Sequence, residues 1–420
     1  MYTSNVRLEV LDNGLKVIAE EVHNMPIVSV LMWYRVGSRN ELPGITGASH
    51  FIEHMLFKGG EEFKKGEIFR KISKYGGILN GFTNNDYTAY FEVLPKEKLD
   101  LALRIERDRM IRALFDSEEL EAERTVILSE LEGEENHPSH LLYKEVISQA
   151  FRIHSYRWDP GGFKSDVERV KREDLYEYYQ RYYGPRNATL VMVGDFCFKE
   201  IFPLIEEKFA DIKKDTEEPR VKLKEPEQKG ERRVILRLKG NNPLLQVAYH
   251  TPSIKDKDIF PLVVLDTILG GAKISEIGWE LGVKTSRLYR WLVRTRLALE
   301  ANSSVGLAID PHLFYFSIVI QQGVNPEKVE KLLFKELEDI KIDEEELNKA
   351  KRELKSILAF NNETVLSKGL QLGLFETISS YNFIDIFLKK LEEVEKEDVE
   401  RVAREYLNED NCTVGIFIPK

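Results

Sequence analysis

EDLYEYYQRYYGPRNATLVMVG, residues 173–194, decides the fold, because a second version of it lies near the other end of the chain. EDVERVAREYLNEDNCTVGIF, residues 397–417, aligns with it without a gap. Glu173, Asp174, Tyr182, Asn187 and Thr189 each meet the same residue 224 positions later. Both copies read as a helix leading into an apolar, β-branched strand. A weaker echo sets FIEHMLFKGG, ending at Gly60, against VVLDTILGG, ending at Gly271. The simplest account is a duplicated α+β domain whose second copy has lost the histidines of the first.

Working outward, VRLEVL and LKVIAEEV flank an Asp12-Asn13-Gly14 turn, and VSVLMWYRV follows as a third strand. The pattern turns helical from Thr46 to Leu56 and again over 65–75, with Gly59-Gly60 and Gly76-Gly77 as stops. ILNGFT and DYTAYFEVL return to strand, and helices are expected over 96–113 and 117–135. The stretch KDTEEPRVKLKEPEQKGER, 214–232, is charged, holds two prolines and lacks apolar periodicity. The expected division is therefore a domain over 1–215, a linker over 216–232 and a homologous domain over 233–420.

Composition narrows the functional classes. With 42% hydrophobic and 31% charged residues the chain reads as globular and not disordered. A formal charge of −10 argues against nucleic acid as a partner, which calls for a concentrated basic surface. Cys197 and Cys412 are the only cysteines, so neither a disulfide framework nor a cysteine metal site is expected. MYTSNVRLEVLDNG passes straight into strand alternation, with no basic region before an apolar run, and the expectation is a cytoplasmic chain without a membrane span.

Only eight histidines occur, yet His50 and His54 bracket Glu53 in HFIEH, residues 50–54. Four residues apart on a helix, the two imidazoles share a face and can point at one metal ion. Glu53 sits at the edge of that face, where its carboxylate can reach a metal-bound water and act as general base. The order H-x-x-E-H is the inverted counterpart of the H-E-x-x-H metalloprotease motif. A catalytic zinc needs a third protein ligand. Helix 117–135 offers Glu123 and Glu130, seven residues apart and so nearly superimposed on one face. Glu130, set between VIL and Leu131, is the stronger candidate ligand, whereas Glu118, Glu119 and Glu134 read as surface charges.

On these residues the chain resembles the pitrilysin and mitochondrial processing peptidase family of zinc metallopeptidases. HFIEH matches the family's zinc-binding motif and ERTVILSE the later segment that carries the third ligand. NGLKV, GGILNGFTNNDYTAY at 76–90 and YYGPRNATLVMVGD at 182–195 extend the match over essentially the whole chain. The resemblance implies one zinc ion per chain on His50, His54 and Glu130, with Glu53 as general base and Glu123 as a supporting carboxylate. It also implies two homologous domains, each a mixed sheet packed with helices, forming one half of a clamshell. Peptide would add as a strand beside the sheet edge at Leu79, Asn80, Gly81, Phe82 and Thr83. The function it implies is a zinc-dependent endopeptidase that hydrolyses peptides or small unfolded segments inside a closed chamber. A noncatalytic scaffold, or a peptide-binding module of the same fold, is the alternative.

Two departures bear on partners. Many relatives carry an arginine followed seven residues later by a tyrosine, which reaches the zinc site of the opposite half. Here Arg294 fits the arginine, but the tyrosine position holds Ala301, or Glu300 with one gap. The expectation is a heterodimer whose homologous second subunit supplies the Arg-Tyr pair, with a homodimer as the alternative. The other departure is AKISEIGWELGVKT, 272–285, which reads as an insert that is not glycine-rich, unlike the loop that contacts substrate in the noncatalytic subunit of the mitochondrial enzyme.

Overall fold

The computed structural model describes residues 2–213, 221–273 and 283–420. Strands β1 (Val6–Val10), β2 (Lys16–Glu21) and β3 (Ile27–Tyr34) lead to helices α1 (Ala48–Met55) and α2 (Glu67–Lys74). Then come β4 (Ile78–Thr83), β5 (Thr88–Pro95), α3 (Leu99–Ile111), α4 (Ser117–Glu135), α5 (Pro138–Ala150), α6 (Lys164–Val167), α7 (Arg172–Tyr182), β6 (Ala188–Gly194) and α8 (Phe198–Phe209). Beyond residue 222 lie β7 (Arg232–Leu236), β8 (Leu244–Thr251), α9 (Ile259–Gly270), β9 (Ala298–Val305) and β10 (His312–Ile320). The chain finishes with α10 (Pro326–Glu338), α11 (Glu344–Phe360), α12 (Val365–Ile378), α13 (Phe383–Glu393), α14 (Lys396–Tyr406) and β11 (Cys412–Phe417). The helix expected over 96–113 is shorter: 96–98 form a 3-10 turn, and Ala113 leaves the helix to bridge with Gly60.

The strands form two mixed sheets. One has the order β1-β2-β6-β3-β5-β4 and the other β7-β11-β8-β10-β9. Without β1 the two orders correspond strand for strand. In each sheet the parallel pair is the one made by the last strand, β6 with β2 and β11 with β7. The repeated stretch that opened the sequence supplies this element twice, as α7 into β6 and α14 into β11. Its retained asparagine has a physical reason. Asn187 Nδ2 donates to the carbonyls of Tyr182 at 3.0 Å and Arg35 at 3.4 Å. Asn411 Nδ2 donates to Tyr406 at 2.8 Å and His250 at 2.9 Å. One side-chain amide in each copy thus ties the end of the helix to the neighbouring strand.

The compact units depart from the contiguous halves expected from the sequence. The first unit is 1–132, 158–222 and 362–384; the second is 133–157, 223–361 and 385–420. The changeover at 222/223 falls inside the expected linker, of which 214–220 lie outside the described residues. However, α5 from the first half of the chain packs on the second sheet, and α12 from the second half packs on the first. Alternation along β3 shows why the first sheet needs α12. Val28, Val30, Met32 and Tyr34 enter the main core with Phe51, Leu103 and Tyr179, while Ser29, Leu31 and Trp33 face the other way. Those odd-numbered residues would be bare without α12. Its glycines let the helix backbone come close: a Cβ on Gly369 would meet Leu31 at 2.4 Å and one on Gly373 would meet Trp33 Nε1 at 2.0 Å. In the second unit α5 fills the equivalent role, with Leu142 and Val146 against Gly415 of β11.

Candidate metal centre

The centre is built on α1, whose apolar face seats Phe51, Ile52, Met55 and Leu56 in the first unit's core. That fixes the rotation of the helix, so His50 and His54 emerge side by side on the remaining face. Their rings meet edge to face, with centroids 4.7 Å apart and the two Nε2 atoms 3.3 Å apart. Glu130 of α4 brings Oε2 to 3.5 Å from His54 Nε2 and 3.9 Å from His50 Nε2. A tetrahedral zinc with bonds of about 2.0–2.1 Å has ligand-to-ligand edges of roughly 3.3–3.4 Å, so this donor set fits such an ion with small adjustments. Two imidazole nitrogens and one carboxylate are also the donor types zinc takes in hydrolytic sites. The side chains keep 23%, 17% and 47% of their exposure for His50, His54 and Glu130, which leaves an approach for solvent or substrate.

Glu123, one helical repeat before Glu130, is buried and turns to the other nitrogen of His54: Oε1 lies 2.9 Å from Nδ1. A carboxylate there places the proton on Nδ1 and leaves the Nε2 lone pair for a metal. Its second oxygen, Oε2, lies 2.5 Å from the Lys58 ammonium. The two glutamates of α4 are therefore separated in role, one at the ligand cluster and one behind it.

Glu53 is buried, and Thr83 Oγ1 donates to its Oε2 at 2.7 Å. Burial pushes the Glu53 pKa above the usual carboxylate range, against the pull of the Thr83 hydrogen bond and the neighbouring His54. Thr83 ends β4, the outermost strand of its sheet, on which Leu79, Asn80, Gly81 and Phe82 also lie. Pairing with β5 runs without a register shift through Asn80 and Gly81, so this stretch is a regular edge strand and not a bulge. Gly81 lets two rings close on the strand: a Cβ there would lie 3.0 Å from the Phe57 ring and 3.1 Å from Tyr90, tighter than ordinary contact. The five strand residues thus run alongside α1, and one of them, Thr83, touches Glu53.

Residues that sequence reasoning did not pick out hold this arrangement. Gly47 begins α1 with φ 86°, and a Cβ there would press on the Gly161 carbonyl at 2.6 Å. No side chain of the helix's own first turn caps it. Instead the buried carboxylate of Glu41 accepts from Gly47 N and Ser49 N, both at 2.7 Å. These two bonds satisfy backbone N–H groups of the helix's first turn and anchor the turn that carries His50. Burial nevertheless pushes the Glu41 pKa up, to about 8. Glu41 lies six residues before Gly47, not at a capping spacing, so no local pattern announces it. Lys58 is equally silent, because its partner Glu123 is 65 residues away in sequence.

In the second unit, Ala301 is buried within β9 and Glu300 of the same strand is exposed, while Arg294 is exposed just before it. Of the expected insert 272–285, residues 274–282 lie outside the described residues; Ala272 is buried and 283–285 form a 3-10 turn. Among the described residues no helix is long and apolar enough to cross a membrane.

Comparison with known proteins identifies the family. Residues 16–158 match the insulinase family, peptidase family M16, and residues 169–354 match the peptidase M16 inactive domain. All of His50, Glu53, His54, Glu123 and Glu130 fall in the first match. A zinc protease of Helicobacter pylori, PqqE, is 30% identical, over 97% of this chain and 92% of its own length. A mitochondrial-processing peptidase subunit beta of Arabidopsis thaliana is 27% identical, over 63% of this chain and 50% of its own. The crystal structure of a protease from Helicobacter pylori superposes with a TM-score of 0.92 at 27% identity, covering 99% of both chains. A peptidase M16 inactive domain from Pseudomonas fluorescens, 18% identical with 99% of this chain and 98% of its own covered, shares the fold at a TM-score of 0.87. The chain belongs to peptidase family M16, whose named members include zinc proteases.

Proposed function

We propose that this chain is the zinc-bearing subunit of an endopeptidase that cuts peptides or short unfolded segments. The observation that carries the reading is the convergence of His50, His54 and Glu130 beside a buried Glu53, with an open strand edge along the same helix. One ion per chain would be held by those three residues. Zinc bound there supplies Lewis acidity, polarising a carbonyl and making water acidic enough to lose a proton near neutral pH.

The chain's own groups do the remaining work. β4 offers main-chain donors and acceptors to an extended peptide, which favours broad selectivity among sequences. Glu53 takes a proton from the attacking water and delivers it to the departing amine nitrogen, so water is split between the two products. Its raised proton affinity suits a group that must both accept and return that proton. Glu123 keeps His54 in the tautomer whose Nε2 can bind metal.

The same reading includes a partner. Arg294 has no tyrosine following it at the family spacing, and the position holds the buried Ala301, which offers no hydroxyl. A homologous second chain would complete the site and close the chamber, as the word subunit in the Arabidopsis relative's name also suggests. The test is metal analysis and peptide cleavage on the natively purified protein, with and without chelator, alongside mass spectrometry of copurifying chains. Zinc near one per chain, cleavage abolished by chelator and a copurifying homologue are expected. Full activity of the isolated chain would overturn the heterodimer, and cleavage that survives both chelator and Glu53→Gln would overturn the mechanism.

A further inference from the structure

The hydroxyl that meets Glu53 comes from the edge strand and not from α1. We infer that Thr83 is a positioning residue for the base: it holds Oε2 of Glu53, leaves Oε1 to handle the proton, and ties that choice to the strand on which substrate docks. This rests on the proteolytic reading above.

Three observations support it. The Thr83 Oγ1 to Glu53 Oε2 distance of 2.7 Å is that of a good O–H···O bond, and a neutral hydroxyl donating to a carboxylate is a directional restraint on a side chain with three rotatable bonds. Thr83 lies within β4, whose hydrogen bonding to β5 runs to Thr83 itself through the Thr83–Thr88 pair, so its backbone is held while its outer edge stays unpaired among the described strands. The second unit contains a contact of the same chemical kind at a different register, in a setting without ligands: Ser303 pairs with Phe316 and so corresponds to Gly81, not to Thr83. Asp266 of α9 accepts from Ser303 Oγ of β9 at 2.5 Å, and β9 is again the outermost strand of its sheet. There the pair is fully buried and can serve only to clasp helix to strand. In the first unit a clasp of this kind meets a base beside a half-open ligand cluster, where it gains a chemical consequence.

The test uses the zinc-loaded protein with its natural partner and a fluorogenic peptide, comparing T83V, T83S and the control S303A. T83V should lower kcat by about 10–100-fold, the usual cost of losing a partner that orients a reacting group, with KM and zinc content unchanged. T83S keeps the hydroxyl and should recover most of that loss, and S303A should match the parent protein. Peptide affinity measured on an E53Q background should be the same with and without the added T83V substitution, since docking does not need the hydroxyl. Crystals of T83V should show Glu53 in a different rotamer. A parent-like kcat in T83V, or T83S as impaired as T83V, would overturn the inference. So would Glu53 unmoved in the T83V crystal, and that readout stands even if the parent protein proves to cleave nothing, an outcome that would sink the proteolytic reading instead.

Discussion

Helices α1 and α9 occupy corresponding places in their two units, each with a carboxylate held by a hydroxyl on the outermost strand. Only α1 carries the paired histidines. By the register of the glycine pairs, the positions of His50, Glu53 and His54 fall to Pro261, Val264 and Leu265, and Asp266 corresponds to Met55. Every residue of α9 is buried, and Thr267 spends its hydroxyl on the Val263 carbonyl at 2.9 Å within the same helix. A helix that is apolar all round belongs in a core. In α1, by contrast, the two histidines and Glu130 remain partly open to solvent. A hydroxyl-to-carboxylate clasp therefore arises at different registers in the two units, whereas a metal centre requires a helix face that packing has not consumed.

Breaking the chemistry on one side gives the largest expected effect. Glu53→Gln should cut turnover by about 10²–10⁴-fold, the range for a general base, whereas Asp266→Asn should leave kcat unchanged; steady-state cleavage of a fluorogenic peptide decides both. Glu123→Gln acts one shell further out. Zinc affinity, followed by competition with a chromogenic chelator, should fall about 10–100-fold while far-ultraviolet circular dichroism stays constant.

A third prediction concerns the exchanged helices. Gly373→Ala in α12 places a methyl on Trp33 and should cost about 1–3 kcal/mol of stability by overpacking. Urea titration measures this, and an unchanged midpoint would mean that α12 does not seat on β3 as described. The smallest effect is a pH dependence confined to the second unit. Asp258, next to the start of α9, accepts from Arg401 at 2.7 Å and 3.1 Å and from Tyr406 at 3.0 Å, and the guanidinium holds its pKa below the ordinary value. A lowered folded-state pKa means the unfolded chain binds the proton more readily. The contribution is therefore complete above about pH 4, the unfolded value, and fades as pH falls through the folded one. Denaturant midpoints measured between pH 7 and 3 should drop less steeply for Asp258→Asn than for the parent chain.

Much of this was legible in order along the chain. The duplication, the α+β class and the separate strands came from local periodicity and a repeat whose asparagine makes the same two bonds in both copies. His50, Glu53 and His54 were legible because helical geometry alone brings residues four apart together. Glu123 and Glu130 could be named as a pair from their spacing and assigned as support and ligand from the resemblance, but the contacts of Glu123 with His54 Nδ1 and Lys58 could not, since they depend on which oxygen faces which nitrogen across separate segments. Glu41, Lys58 and the hydroxyl of Thr83 left no local trace, for each acts on a residue reached only by chain folding.

By itself, then, the sequence determined what short-range geometry controls: the first sheet's strands and the last strand of the second, the paired histidines and the family they point to. Tertiary structure alone decided that α5 and α12 trade places, because each sheet has a second apolar face that no neighbouring segment of its own half covers. It also decided that Glu41 anchors α1 and that Thr83 grips Glu53, because hydrogen bonds between distant segments depend on position in space and not on separation along the chain.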